Sequence, residues 1–357
     1  MVSFHQPSAT TQRLSAMIER STLLKLARDY AAHKANEQSS LKAIVLTGSV
    51  ARGEPPLGDA VDLDILVISD YPPETPNEIV RLSDYVFVDV AHIPTSAYAD
   101  RKAIRTHHFT GSALNDALIL YDPRHYFDIL QAAIRAPYNR ADHIYARARS
   151  AYNAAMQIFD HISLYRDDAP PAPLSFDLLH DLRQALYLAA NTMLPLVSQT
   201  QSQSAGARKL MVRFEAAARE LNPNLYLQFL ESLGVHDLDP NAVEGLLNDW
   251  VALYKAASQR GSEDRLIHPF KRGYYDRGFR TLIAEGHAIN TLWLLEETLS
   301  ACACGLDPLP EAWLNFCRLT HKSSGAEFSE RVRAAEAFLS DIDQTLNQWA
   351  DQERVER

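Results

Sequence analysis

The stretch AIVLTGSVARGEPPLGDAVDLDILVISD, residues 43–70, decides how this chain is read. An apolar run ends in Gly48-Ser49, a loop punctuated by Gly53 and Gly58 follows, and a second apolar run carries Asp62 and Asp64. Both runs have the length and the Val, Ile and Leu content of buried strands. Residues two apart on a strand share a face, so Asp62 and Asp64 project together while Leu63 and Ile65 project to the other side. Two carboxylates in apolar surroundings repel, and they cost free energy unless a cation or hydrogen bonds compensate. A hard divalent ion with oxygen ligands, Mg2+, suits such a pair.

Further along, VFVDVAHI (residues 86–93) places Asp89 on a third strand. Laid beside the second strand, it brings a third carboxylate to the same ion, and three acids so arranged can hold two metals. Glycine at position 48 lets backbone N–H groups approach a phosphate closely, and Ser49 and Arg52 add a hydroxyl and a fixed charge. A triphosphate fits this logic.

Outward from this core, helical periodicity opens the chain from Thr11 to about Asn36, through Leu14, Met17, Ile18, Leu23, Leu24, Leu26 and Tyr30. After the third strand, residues 94–117 read as one or two short helices, and LILYDP (118–123) as a last short strand closed by proline. Beyond about residue 135 only helix-period segments appear, separated by loop compositions such as DDAPPAPLS (167–175) and SQTQSQSAG (198–206). The expected class is α+β: a small mixed sheet with helices over residues 1–137, followed by an all-α helical bundle over 138–357.

The 357-residue length suits two domains with real cores. A hydrophobic share of 46% and a charged share of 22% are those of an ordinary globular chain. The net charge of −10 disfavours a broad nucleic-acid surface, though not a local basic cleft. The opening residues lack the pattern of a secretory signal, and no apolar run approaches a membrane span, so a cytoplasmic location is expected.

Gly48-Ser49, twelve residues, Asp62-Leu63-Asp64, then a later strand with Asp89: this pattern resembles the nucleotidyltransferase superfamily that includes DNA polymerase β. GSVARG ahead of DLDILV looks most like its small bacterial members, among them antibiotic and minimal nucleotidyltransferases. The resemblance covers roughly residues 40–122, and the helical remainder agrees with such proteins only in class. It implies phosphate contact at Gly48 and Ser49, with Arg52 at a common position, and Mg2+ coordination by Asp62 and Asp64. Asp89 would complete the metal site or activate the acceptor hydroxyl. The implied activity is Mg2+-dependent transfer of a nucleoside monophosphate, most simply AMP from ATP, to a hydroxyl of a small-molecule acceptor held between sheet and helices. An acidic chain would suit a cationic acceptor such as an aminoglycoside. A protein or RNA acceptor, or a regulatory, antitoxin-like protein that binds nucleotide without turnover, stands as the alternative. A homodimer is compatible with each reading. Asp177, Asp181 and Glu215 are unranked options for a base from the helices.

Other signals are weaker. RLIHPFKRGYYDRGFR (265–280) interleaves Arg265, Lys271, Arg272, Arg277 and Arg280 with Phe270, Tyr274, Tyr275 and Phe279. It reads either as a second substrate-contact surface that stacks bases and holds phosphates, or as a loop whose aromatics dock on the helices while its charges stay wet. Cys302, Cys304, Cys317 and His321 could in principle bind a metal, but buried free thiols are preferred, because Cys302 and Cys304 end a helix at a spacing that splays them. His107 and His108 are adjacent, so their side chains should diverge at the surface, and His180 and His287 read as core or groove residues.

Overall fold

The structure is a computed structural model and describes residues 18–37, 40–58, 60–71, 73–83, 85–197, 208–260 and 264–356. The two apolar runs are strands β1 (Leu41–Leu46) and β2 (Val61–Ser69), paired antiparallel with Leu46 opposite Ile65. Next come β3 (Asn77–Arg81), β4 (Val86–Pro94) and β5 (Leu118–Tyr121), giving one five-stranded sheet of order β3-β4-β2-β1-β5. β4 lies parallel to β2 in unbroken register, and the other pairings are antiparallel. The sheet is therefore mixed, as expected.

β3 was not visible in the sequence. Its residues Asn77, Glu78 and Arg81 give no apolar alternation, and both of its ends are exposed. It holds its place as an edge strand through the backbone ladder to β4, and an edge strand needs no buried face of its own.

The strand period sorts the two faces of the sheet. Val61, Leu63, Ile65 and Val67 of β2 are buried on one face together with Ile44, Leu46, Val88 and Val90. Helix α1 (Arg20–Glu37) covers that face with Leu23, Ala27 and Ala31, spaced one turn apart. This helix starts later than the periodicity suggests, and Leu14 and Met17 lie outside the described residues. The even-numbered residues of β2 face the opposite way: Leu66 and Ile68 pack into a second core, while Asp62 and Asp64 stand at its open end.

That second core is closed by α3 (Arg101–Thr106), α4 (Thr110–Asp116) and α5 (Tyr126–Arg135), after the five-residue helix α2 (Gly48–Arg52) that follows β1. Residues 94–117 thus form a 3-10 turn at Thr95–Tyr98 and two helices, one piece more than anticipated. Asp100 starts α3 by accepting the N–H groups of Lys102 and Ala103, each at 2.9 Å.

The remainder is helical: α6 (Ala141–Ile162), α7 (Phe176–Val197), α8 (Leu210–Leu221), α9 (Asn224–Leu233), α10 (Ala242–Ser258), α11 (Lys271–Ala284), α12 (Leu292–Ala303), α13 (Glu311–Leu319) and α14 (Gly325–Gln352). The loop expected at residues 198–206 falls outside the described residues. The helices bury one large apolar cluster, which also takes in Ala60 and Phe87 from the sheet. The starts of β2 and β4 and the bundle therefore share packing next to the acid pair. Among the described residues no helix is long and apolar enough to cross a membrane.

Candidate active site

Parallel register brings the acids together. Asp64 lies opposite Asp89 and Asp62 opposite Phe87, so all three carboxylates start from one face of two adjacent strands. The Gly48 turn is stitched to the same place, since Thr47 N–H donates to the Asp64 carbonyl at 2.8 Å. Gly48 has φ +72°, and a Cβ there would stand 1.8 Å from Asp64 Oδ2. Only glycine lets the turn run so close to the carboxylate. On the far side, Arg20 donates to the carbonyls of Val50 and Ala51 at 3.0 and 2.8 Å, satisfying the end of α2 and holding it still.

The three acids have different neighbours. Asp62 accepts a 2.7 Å hydrogen bond from the Tyr274 hydroxyl, and burial keeps that phenol protonated. Asp89 is paired with Arg265 and, at 3.0 Å, with Lys271. Asp64 keeps some exposed surface but sits deep in the cleft. Burial, and after it Asp62, push its carboxyl up to about 8 against the pull of Lys271, Arg52 and Arg208. Lys271 is itself drawn below its ordinary range by burial and by Arg265, while Asp62 and Asp64 pull it the other way.

A cluster of cations meets the turn from the helices. Glu54 is gripped by Arg52 at 2.6 Å, Lys209 at 2.9 Å and Arg213 at 2.5 Å. Burial alone would raise its carboxyl, but these three partners hold it at about 2. Arg208 donates to the Leu57 carbonyl at 2.5 Å and lies 3.6 Å above the Tyr274 ring, with its Nε buried and unpartnered.

Two clefts open here. One, of about 430 Å³, is lined by Gly48, Ser49, Arg52, Asp62, Asp64, Lys271 and Tyr274 among others. The second, of about 680 Å³, shares Arg52, Glu54, Leu57, Arg208, Lys209 and Arg213 with it and continues past Asp116, Arg135 and His287. The second cleft is lined by five Lys and Arg side chains against three Asp and Glu, so the negative charge of the whole chain does not extend into it. Burial raises the Asp116 carboxyl in its wall.

Gly48, Ser49, Arg52, Asp62 and Asp64 therefore line one cleft, with Asp89 in register beside them. Of the three helix acids considered from sequence, none lines either cleft: Asp177 is exposed, Asp181 faces His161, and Glu215 pairs with Arg219. Residues 265–280 are helical from Lys271, where a loop was one expectation. Tyr274, Tyr275 and Phe279 are buried, and of the aromatics only Phe270 is exposed, so the stretch offers no base-stacking platform. Its charges are not all wet either, because Arg265 and Lys271 reach Asp89.

Cys302 and Cys317 are buried free thiols, pushed up to about 12 chiefly by burial, whereas Cys304 is exposed and His321 faces Asp237. The rings of His107 and His108 stack at 4.3 Å instead of diverging. His180 is exposed, and His287 is a groove residue of the second cleft. Among the described residues no three His, Cys, Asp or Glu side chains are grouped closely enough to hold a metal ion.

Sequence reasoning missed Glu54, Asp116, Arg208, Lys209 and Arg213. The Arg208-Lys209 pair before the α8 apolar pattern was the only signal for any of them.

The sequence matches no protein-family model and no curated protein. Among solved structures the chain is similar to a nucleotidyltransferase-like protein from Exiguobacterium sibiricum, with 10% identity, 83% of this chain and 87% of that chain covered, and a TM-score of 0.31. A likeness at that level leaves the functional reading to the geometry of the site.

Proposed function

We propose that this chain is a divalent-metal-dependent nucleotidyltransferase, moving a nucleoside monophosphate, most simply AMP from ATP, to a hydroxyl of a small-molecule acceptor. One observation carries the reading: the Asp62/Asp64 pair faces the Gly48-Ser49 turn in a cleft whose other walls bring Arg52, Arg208, Lys209 and Arg213. Acids beside an anion-binding wall are what a metal-bound polyphosphate requires. Mg2+ fits the donor set, since Asp62 and Asp64 offer hard carboxylate oxygens in one cleft. Bound there, Mg2+ would neutralise charge at the α-phosphate and lower the pKa of the acceptor hydroxyl.

The chain's own groups supply the rest. Ser49 and the cations hold the β- and γ-phosphates, and Tyr274 keeps Asp62 oriented. The acceptor occupies the second cleft, and its hydroxyl oxygen bonds to the α-phosphorus as the bond to the bridging oxygen breaks and pyrophosphate leaves. Both Asp89 oxygens face cations, and of the second cleft's carboxylates Glu54 is held by three cations, which leaves Asp116 and Glu285 as the candidates to take the hydroxyl proton. The cationic lining adds hydroxyl compounds bearing a phosphate or carboxylate to the acceptors worth testing, beside the aminoglycosides suggested by whole-chain charge.

The test is Mg2+-dependent pyrophosphate release from each nucleoside triphosphate with a panel of cationic and anionic acceptors, with Asp62→Asn and Asp64→Asn as controls. Acceptor-dependent release that both substitutions abolish supports the reading. The α11 side chains closing on the acids favour a second reading, a protein that holds nucleotide without turnover. ATP binding with no release from any acceptor would establish that one.

A further inference from the structure

We propose that Lys271 and Arg265 act as built-in counter-cations of Asp89, so that this site takes one divalent ion, at Asp62 and Asp64, and not two. The inference rests on the nucleotidyl-transfer reading above. From the resemblance, Asp89 was expected to complete the metal set or to activate the acceptor hydroxyl. Here that carboxylate is taken: Lys271 Nζ stands 3.0 Å from Asp89 Oδ2, and the Arg265 guanidinium meets Oδ1.

Lys271 is not a loose surface charge, while the Arg265 side chain is 40% exposed. The Lys271 side chain is only 11% exposed. Its helix is fastened to the sheet by the Tyr274 hydrogen bond to Asp62 and by the edge contact of the Tyr274 ring with Phe87 at 5.1 Å. The turn carrying Arg265 is held from α10, where the Tyr254 hydroxyl lies 2.8 and 2.9 Å from the carbonyls of Leu266 and His268. A second metal at Asp89 would have to displace two anchored cations or sit against their charge.

Lys271 and Arg265 thus stand where a second metal's charge would be supplied, as fixed groups that need no loading.

The test is Mn2+ binding to the full chain at low ionic strength, with free Mn2+ followed by electron paramagnetic resonance and stoichiometry checked by calorimetry, independently of any turnover. The wild-type chain should bind one Mn2+. A Lys271→Met, Arg265→Gln double variant should gain a second site. Asp89→Asn, which removes the carboxylate charge and keeps the side chain's size, should keep one site. Two sites in the wild type, no gain in the double variant, or loss of the single site in Asp89→Asn would each overturn the inference while leaving the metal-dependent reading intact. No Mn2+ binding at all would overturn both.

Discussion

Replacing Gly48 by alanine tests the closeness of the turn to the acid pair. The new Cβ would fall 1.8 Å from Asp64 Oδ2 and 2.8 Å from Cγ, where side-chain contacts stop at about 3.0 Å, so the carboxylate has to retreat by about 1.2 Å. Holding a Cβ at φ +72° costs about 1–2 kcal/mol. Forcing a methyl group into a filled space costs about 1–3 kcal/mol more. The sum, about 2–5 kcal/mol, should accelerate opening-limited amide exchange in β1 and β2 by roughly 30-fold to several thousand-fold. Hydrogen exchange read by mass spectrometry on peptides from residues 41–69 measures this locally. Tryptophan fluorescence would miss it, because Trp250, Trp293, Trp313 and Trp349 all lie in the helical part. Mn2+ affinity should fall in parallel as Asp64 moves. Gly245→Ala is the contrast: it sits inside α10 with nothing within 4 Å of its added Cβ, and should stabilise by about 0.5–1 kcal/mol. Unchanged protection of β1 and β2 together with unchanged Mn2+ affinity in Gly48→Ala would refute the close approach.

The remaining expectations concern charge. Asp64, ordinarily near 3.8, is pushed up to about 8 by burial and Asp62, so the folded chain holds a proton that the unfolded chain has lost. Metal-free stability should therefore fall as pH rises from about 4 to 8, and Asp64→Asn should flatten that slope; equal slopes in urea titrations of the two proteins would sink the assignment. Glu54 is the opposite case, its carboxyl held at about 2 against an ordinary 4.5, so its contribution is complete above 4.5 and disappears as pH falls towards 2. Glu54→Gln should lower stability at neutral pH by about 1–3 kcal/mol and remove the loss in that acid window, a result read from urea midpoints across pH. Tyr274→Phe deletes the 2.7 Å hydrogen bond to the Asp62 carboxylate and should cost about 1.5–3 kcal/mol, with a shift under 0.5 kcal/mol counting against that bond.

The sheet was legible where the signal was local. β1, β2, β4 and β5 each announce themselves by apolar content, and β3 does not, because an edge strand held mainly by its ladder has no need of an apolar face. The helices beyond residue 140 followed from their periodicity, while the stretch at 265–280 was ambiguous because its aromatics and cations alternate too closely to define one face. For the cysteines, the local spacing could not say which thiol was exposed.

By itself the sequence determined that Asp62 and Asp64 share a face of a buried strand and that a glycine turn precedes them. These are consequences of a two-residue period and of a residue without a side chain, properties that act over a few positions. Tertiary structure decided everything that surrounds the acids. Lys271 meets Asp89 across 182 positions, Tyr274 meets Asp62 across 212, and Lys209 meets Glu54 across 155. Contacts at such separations depend on how α8 and α11 pack against the sheet, which is set by the shared apolar cluster around Phe87 and not by any pattern within reach of the acids themselves.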